Sequence, residues 1–151
     1  MSMQDYKTAL ELIESSGESD FVGPKSVDLV EAAERALALN FPPTYRRFLL
    51  ELGCGDVGGE EFYGIIDSNF ENSSVPNGIW LTLNERKQSS LMSGLVIIYA
   101  TGEGNYIALD TNKTTGNGEN PVVELSPECK IIQQVASDFG QFFLNTVRDV
   151  C

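Results

Sequence analysis

Between Phe48 and Glu85 the chain holds no Lys or Arg but carries seven carboxylates: Glu51, Asp56, Glu60, Glu61, Asp67, Glu71 and Glu85. Acids at this density support two kinds of chemistry. A pair set across a cleft, with one member desolvated, acts as general acid and base. A solvated group instead repels anions and attracts a cationic partner, raising its rate of association at low salt. Glu60 and Glu61 are adjacent, and neighbouring side chains of a strand point to opposite faces, which argues against an acid/base couple. No feature of the sequence marks an enclosing pocket, so steering is the simpler reading. Encounters of that kind need anchors, most often aromatic. Phe62, Tyr63, Phe70 and Trp80 are interleaved with the acids, and at least two of these four are expected in the core. With Glu103 from a later turn, the candidate partner-binding residues are Asp56, Glu60, Glu61, Tyr63, Asp67, Glu71, Trp80 and Glu103.

Other chemistry is mostly excluded. The chain has no histidine, which removes the usual general base of Ser and Cys hydrolases and the commonest zinc ligand. Cys54 follows Gly53 at what reads as a helix C-terminus, where the negative end of the dipole raises a thiol pKa, and no base is nominated for it. Asp110, Asn112, Thr114 and Gly116 resemble the opening of a calcium loop. The glycine falls one residue late, however, and Pro121 stands where the bidentate Glu belongs. The GEGN at 102–105 lacks the third glycine of a dinucleotide fingerprint and lies between strands. No catalytic residue, metal or cofactor is expected, and the chain is read as a non-enzyme.

The elements that must position these residues fall into a helical third followed by strands. Tyr6, Ala9, Leu10 and Ile13 make one apolar stripe on a helix over Gln4–Ser16, which Gly17 ends. Ser26 caps a second helix with Val27, Val30, Ala33 and Leu37 inward and Asn40 at its close. Pro43 opens a third, whose buried face is Tyr45, Phe48, Leu49 and Leu52 and whose stop is Gly53 in the left-handed conformation. Strands are predicted at Glu61–Ile66, Leu95–Ala100, Asn105–Asp110 and Val122–Leu125. The TGEG at 101–104 forms a hairpin turn between the second and third of these. Ile79–Gln88 reads as a helix leading back to the sheet, Thr111–Asn120 as a long exposed loop, and Val135–Val150 as a closing helix with Phe139, Phe142, Phe143 and Val147 inward.

At 151 residues with 42 % hydrophobic content, the chain is expected to form a single domain, residues 1–151, around one core. No linker or repeat divides it. The fold class is α+β: N-terminal helices, a mostly antiparallel mixed sheet and a C-terminal helix packed on the sheet. A net charge of −12, with ten basic residues in no visible patch, argues against direct binding of nucleic acid and favours a basic protein partner. Three cysteines at wide spacing make neither a disulfide framework nor a zinc pattern and suit a reducing compartment. The N-terminus reads as neither a secretory signal nor a membrane span, so a cytoplasmic protein with no membrane partner is expected.

The segment LNFPPTYRRFLLELGCGDVGGEEFYGI, Leu39 to Ile65, resembles the helix signature of the SUKH superfamily: proline before a Tyr-containing helix, Phe-Leu inward, a glycine-rich exit and a strand ending in Tyr-Gly-Ile. Val96 to Asp110, VIIYATGEGNYIALD, resembles that family's later strand pair, and Pro121 to Val123 with the closing phenylalanines resembles its C-terminal pattern. The resemblance runs from about Ser26 onward and implies a bacterial immunity protein, or antitoxin, that binds and blocks a cognate toxin. Toxins paired with this family are often nucleases, and a nuclease holds phosphate in a basic cleft that an acidic inhibitor can occupy. The family also includes a yeast cell-wall signalling regulator of the Smi and Knr type. A regulatory scaffold with a non-toxin partner is therefore the alternative, and a small hydrolase a more distant one.

Overall fold

The computed structural model describes residues 2–16 and 18–151; Gly17, expected to end the first helix, lies outside the described residues. Helix α1 (Ser2–Ser16) buries Tyr6, Ala9 and Ile13 and packs along α5 (Phe139–Val150). Helix α2 (Val27–Leu37) starts where the Ser26 hydroxyl accepts the Leu29 N–H at 3.1 Å. Val30, Ala33 and Leu37 are buried, but Val27, expected inward, is 51 % exposed. At about 100° per residue it lies on the far side of Val30 from Ala33 and falls off the buried arc. The helix stops at Ala38 rather than Asn40: Ala38 turns left-handed (φ +57°) while its N–H and that of Leu39 return to the last-turn carbonyls of Arg35 and Glu34.

Helix α3 (Pro43–Glu51) buries Thr44, Tyr45, Phe48 and Leu49 and ends at left-handed Gly53, φ +75°; Leu52, placed on its inward face by spacing, is half-buried at the cap. Pro42 has no side chain able to cap this helix. The loop expected to be exposed supplies the cap instead: Glu119, 2 % exposed, accepts the Thr44 N–H at 3.1 Å and the Thr44 hydroxyl at 2.9 Å. A carboxylate is thereby held against the positive end of α3.

The strands form two antiparallel sheets. In the smaller, β1 (Ser19–Phe21), β2 (Gly55–Val57) and β3 (Glu60–Phe62) lie in that order. Gly58 and Gly59, φ +56° and +90°, make the two-residue turn between β2 and β3, a conformation that matches strand twist and favours glycine. The larger sheet runs β4 (Leu95–Ala100), β5 (Tyr106–Asp110), β6 (Val122–Leu125) and β7 (Ile131–Ala136), with the TGEG hairpin closed by Thr101 N–H to Asn105 O at 2.8 Å. The chain leaves strand geometry after Phe62 rather than continuing to Ile66; Tyr63 then donates its N–H to Ile98 O of β4 at 2.8 Å. The closing helix starts at Phe139, where Asp138 caps it, and the predicted start at Val135 lies in β7.

Alternation along β4 divides the interior. Val96 and Ile98 face the cluster of α1, α3 and α5, while Leu95 and Ile97 face Leu81 of α4 (Gly78–Gln88). At the centre of the first cluster, the Phe48 ring meets Phe21, Tyr45, Phe62, Phe139 and Phe143 at centroid separations of 5.3 to 6.3 Å. Phe48→Ala is expected to lower stability by about 3–5 kcal/mol in chemical denaturation. Burial raises the Glu119 pKa above 4.5, against the opposing effect of its Thr44 hydrogen bonds. A raised carboxyl favours folding most below its unfolded pKa. The stability of the native protein relative to Glu119→Gln is therefore expected to fall as pH rises through the folded pKa, and thermal unfolding across pH 3–7 reads it.

An acidic sheet face as the candidate functional site

Side chains directly opposite one another in an antiparallel sheet share a face. In the smaller sheet Asp20 pairs with Asp56, and Asp56 with Glu61. Three carboxylates therefore stand in one row across β1, β2 and β3. The alternate positions Phe21, Val57 and Phe62 pack into the core from the opposite face. Asp20 and Glu61 are exposed and Asp56 half-buried between them. Among the described residues none of the three forms an ion pair. The nearby cation, Lys25, donates instead to the Ile66 carbonyl at 2.7 Å. Asp20 was not among the predicted site residues. The Gly58-Gly59 turn could have signalled Asp56 opposite Glu61, but three residues of β1 carry too little pattern to have added Asp20.

The seven acids of the basic-free stretch sort into two groups. Tyrosine hydroxyls hold three of them: Tyr6 donates to Glu51 at 2.7 Å, Tyr106 to Glu85 at 3.0 Å, and Tyr99 to Glu60. Burial raises each of these hydroxyls' pKa, and the bonded carboxylate adds to it; Tyr106 is pushed up to about 12. Glu60, named as a partner-binding candidate, faces inward beside Tyr99, opposite to Glu61. The other group, Asp56, Glu61, Asp67 and Glu71, faces solvent wholly or in part. Asp67 also accepts the Asn69 N–H at 2.9 Å, which shapes the turn that carries it.

Of the aromatic candidates, Phe62 and Tyr63 are in the core, Tyr63 beside Leu81 and Ile97, where it offers no surface to a partner. Trp80 is half-buried on α4. With Phe70, Glu71, Leu83, Asn84 and Lys87 it lines a groove of about 280 Å³. Glu103 sits exposed at the β4–β5 turn, on the other sheet from the acidic row. The structure thus brings Asp56 and Glu61 together and sets Glu71 and Trp80 at one groove.

Among the described residues, no group of three or more His, Cys, Asp or Glu side chains is placed to hold a metal ion. Burial pushes the Cys54 thiol up to about 11, with Lys25 lowering it and Glu61 raising it; desolvation rather than the helix dipole is the leading cause. Asp110, the first residue of the calcium-like segment, is buried and accepts the Asn112 N–H at 3.1 Å. A larger hollow of about 460 Å³ lies between the α2–α3 linker and the loop after β5. Its polar side chains tie the loop to the segment before β4 and to itself: Thr111 donates to Gly94 O, Asn112 to Ser93 O and Asn120 to Lys113 O. No helix among the described residues is long and apolar enough to cross a membrane.

The SUKH_6 family model, described as SMI1-KNR4 cell-wall, matches residues 28–143. The chain belongs to the SUKH superfamily. The matched span takes in α2 through the start of α5, and so both sheets except β1, which contributes Asp20 to the acidic row. SUKH helices and strands build the scaffold, and the short strand before the span completes the face. Like charges directly opposite one another destabilise a sheet. Asp56→Asn is therefore expected to raise stability by about 0.2–1 kcal/mol at low salt, with the gain shrinking as salt is added; thermal unfolding at two ionic strengths checks both parts.

Proposed function

We propose that this protein is an immunity protein that binds a cognate toxin domain and neutralises it, with the outward face of β1, β2 and β3 as the docking surface. The observation that carries this reading is the row Asp20, Asp56, Glu61, unpaired and fixed on a sheet whose other face is core. Such a row retains its negative potential because no Lys or Arg among the described residues forms an ion pair with it. It also loses little conformational entropy on binding, since the strands beneath it are already ordered. The SUKH superfamily is known for immunity proteins, which supports the reading.

The partner that fits is basic. A nuclease domain lines its cleft with Lys and Arg to hold phosphate, and a rigid row of carboxylates at strand spacing presents that cleft with comparable charge. Glu71 and Trp80, at the 280 Å³ groove, add an anchor in which an aromatic edge and a charge lie side by side. No catalytic step is assigned to the chain; binding alone accounts for neutralisation, in the cytoplasm where the toxin is made. The family description, SMI1-KNR4 cell-wall, supports a second reading in which the same face docks a basic regulatory partner.

Co-expression with the toxin encoded beside it is expected to protect cells and to yield a stable complex. Reversing Asp56, Glu61 and Asp67 to Lys is expected to slow association by about tenfold or more at low salt, and to abolish protection. Reversal of Glu11, Glu14 and Asp28, exposed elsewhere, serves as the control and is expected to retain it. Protection that survives the first triple reversal would sink the assignment of the face. No toxicity and no complex with the neighbouring product would favour the regulatory reading.

A further inference from the structure

Strand β7 ends the larger sheet, and its outer edge is unpaired: among the described residues, 131–136 make no backbone hydrogen bond beyond the ladder with β6. Sheet edges of this kind are normally shielded by Lys, Pro or an inward charge. This one carries none. Ile131, Ile132 and Val135 are 42 %, 54 % and 37 % exposed, and the stretch IIQQVAS from 131 to 137 holds no charged residue in a chain of net charge −12. The pairing with β6 skips Ile132 and Val135, so both are bulged residues pushed outward from the ladder. Bulges usually help to protect an edge, but here they present apolar side chains.

The charges flanking the strand say what fits against it. Lys130 and Asp138 stand symmetrically, four residues to either side of Gln134. When two copies of β7 run antiparallel about a two-fold axis at Gln134, residues whose numbers sum to 268 face each other. Lys130 of each copy then meets Asp138 of the other, twice per dimer. The same register sets Ile132 opposite Ala136 and Val135 opposite Gln133, with the two Gln134 amides on the axis. No other alignment about a two-fold brings both charge pairs together. Shifting the axis by half a residue leaves Lys130 opposite Ser137 and Asp138 unmatched. The carboxylate of Asp138 already accepts the Gln141 N–H at 2.9 Å as the cap of α5, which fixes its position at the strand's end.

We infer that the outer edge of β7 is a self-association surface, through which two copies of this chain pair antiparallel about Gln134. An isologous contact of this kind closes on itself as a dimer and occupies the β7 edge of both copies. It lies on the larger sheet, apart from the acidic row of the smaller one, so it stands or falls independently of the toxin-binding reading.

Sedimentation equilibrium on the full chain, from micromolar to millimolar concentration, tests it. The native protein is expected to show a concentration-dependent dimer. Ile132→Lys is expected to be monomeric throughout and, at dilutions where the native chain is also monomeric, to keep its melting temperature, because the residue contributes no core contact. Lys130→Glu, which replaces the two ion pairs of the dimer by two like-charge pairs, is expected to weaken the dimer by on the order of fivefold. Adding Asp138→Asn, which preserves the helix cap, to Lys130→Glu is expected to strengthen it again, whereas in the native background Asp138→Asn weakens it. That reversal of sign reports the pairing itself. A native chain that stays monomeric at millimolar concentration, or a dimer indifferent to both Ile132→Lys and Lys130→Glu, overturns the inference. So does protection of the β7 amides that arises only when a toxin is added, which would assign the edge to a partner's strand.

Discussion

The rings of Phe48 and Phe62 pack at a centroid separation of 6.3 Å, and through that contact the smaller sheet is pinned to the helical core. Phe48 also holds Phe21 of β1, while Phe62 stacks edge-on against Phe143 of α5 at 4.9 Å. Strands of three residues have too few ladder bonds to order themselves. Their inward residues, Phe21, Val57 and Phe62, are what make them strands. Because side chains alternate, fixing Phe21, Val57 and Phe62 inward fixes Asp20, Asp56 and Glu61 outward in register.

The acidic row is a local conflict that the rest of the fold tolerates. Three carboxylates opposite one another weaken a small sheet, and charge balance would be served by a Lys at any of the three positions. Elsewhere the chain resolves its acids with care. Tyr6, Tyr99 and Tyr106 each donate to a carboxylate, Arg46 pairs with Glu34 at 2.8 Å, and Glu119 caps α3. Among the described residues the row forms no ion pair, and a row of like charges without such partners, on a face with a rigid core behind it, is the pattern expected where stability has been exchanged for binding.

What could be read from the chain follows the range of the interactions involved. The helices, the cap at Ser26, Pro43 at the opening of α3, the stop at Gly53 and the TGEG hairpin depend on neighbours within a few residues, and all were legible. Strands β1 and β2 were not, because three residues carry too little periodicity; SDF inside a turn-rich segment looks like loop until Phe21 meets Phe48. Strand β7 was partly taken into the closing helix, since Val135 and Ala136 continue an apolar pattern that Asp138 interrupts only as a cap. The sorting of the acids was also out of reach. Glu60 and Glu61 are indistinguishable as letters, and only the position of Tyr99, 39 residues away, holds one and leaves the other free. Glu119 is a similar case: its partner Thr44 lies 75 residues earlier.

Family membership and the acidic face bear on different questions. The SUKH match covers residues 28–143 of the scaffold, whereas the proposed binding surface draws on Asp20, which precedes the matched span. The measurement that tests the central claim most directly is a backbone NMR shift map of the chain, free and bound to its cognate toxin. The largest changes are predicted at residues 19–22, 55–61 and 67–71, with the Trp80 indole following them. Changes confined to the loop 111–120 or to β7, with β1, β2 and β3 undisturbed, would contradict it.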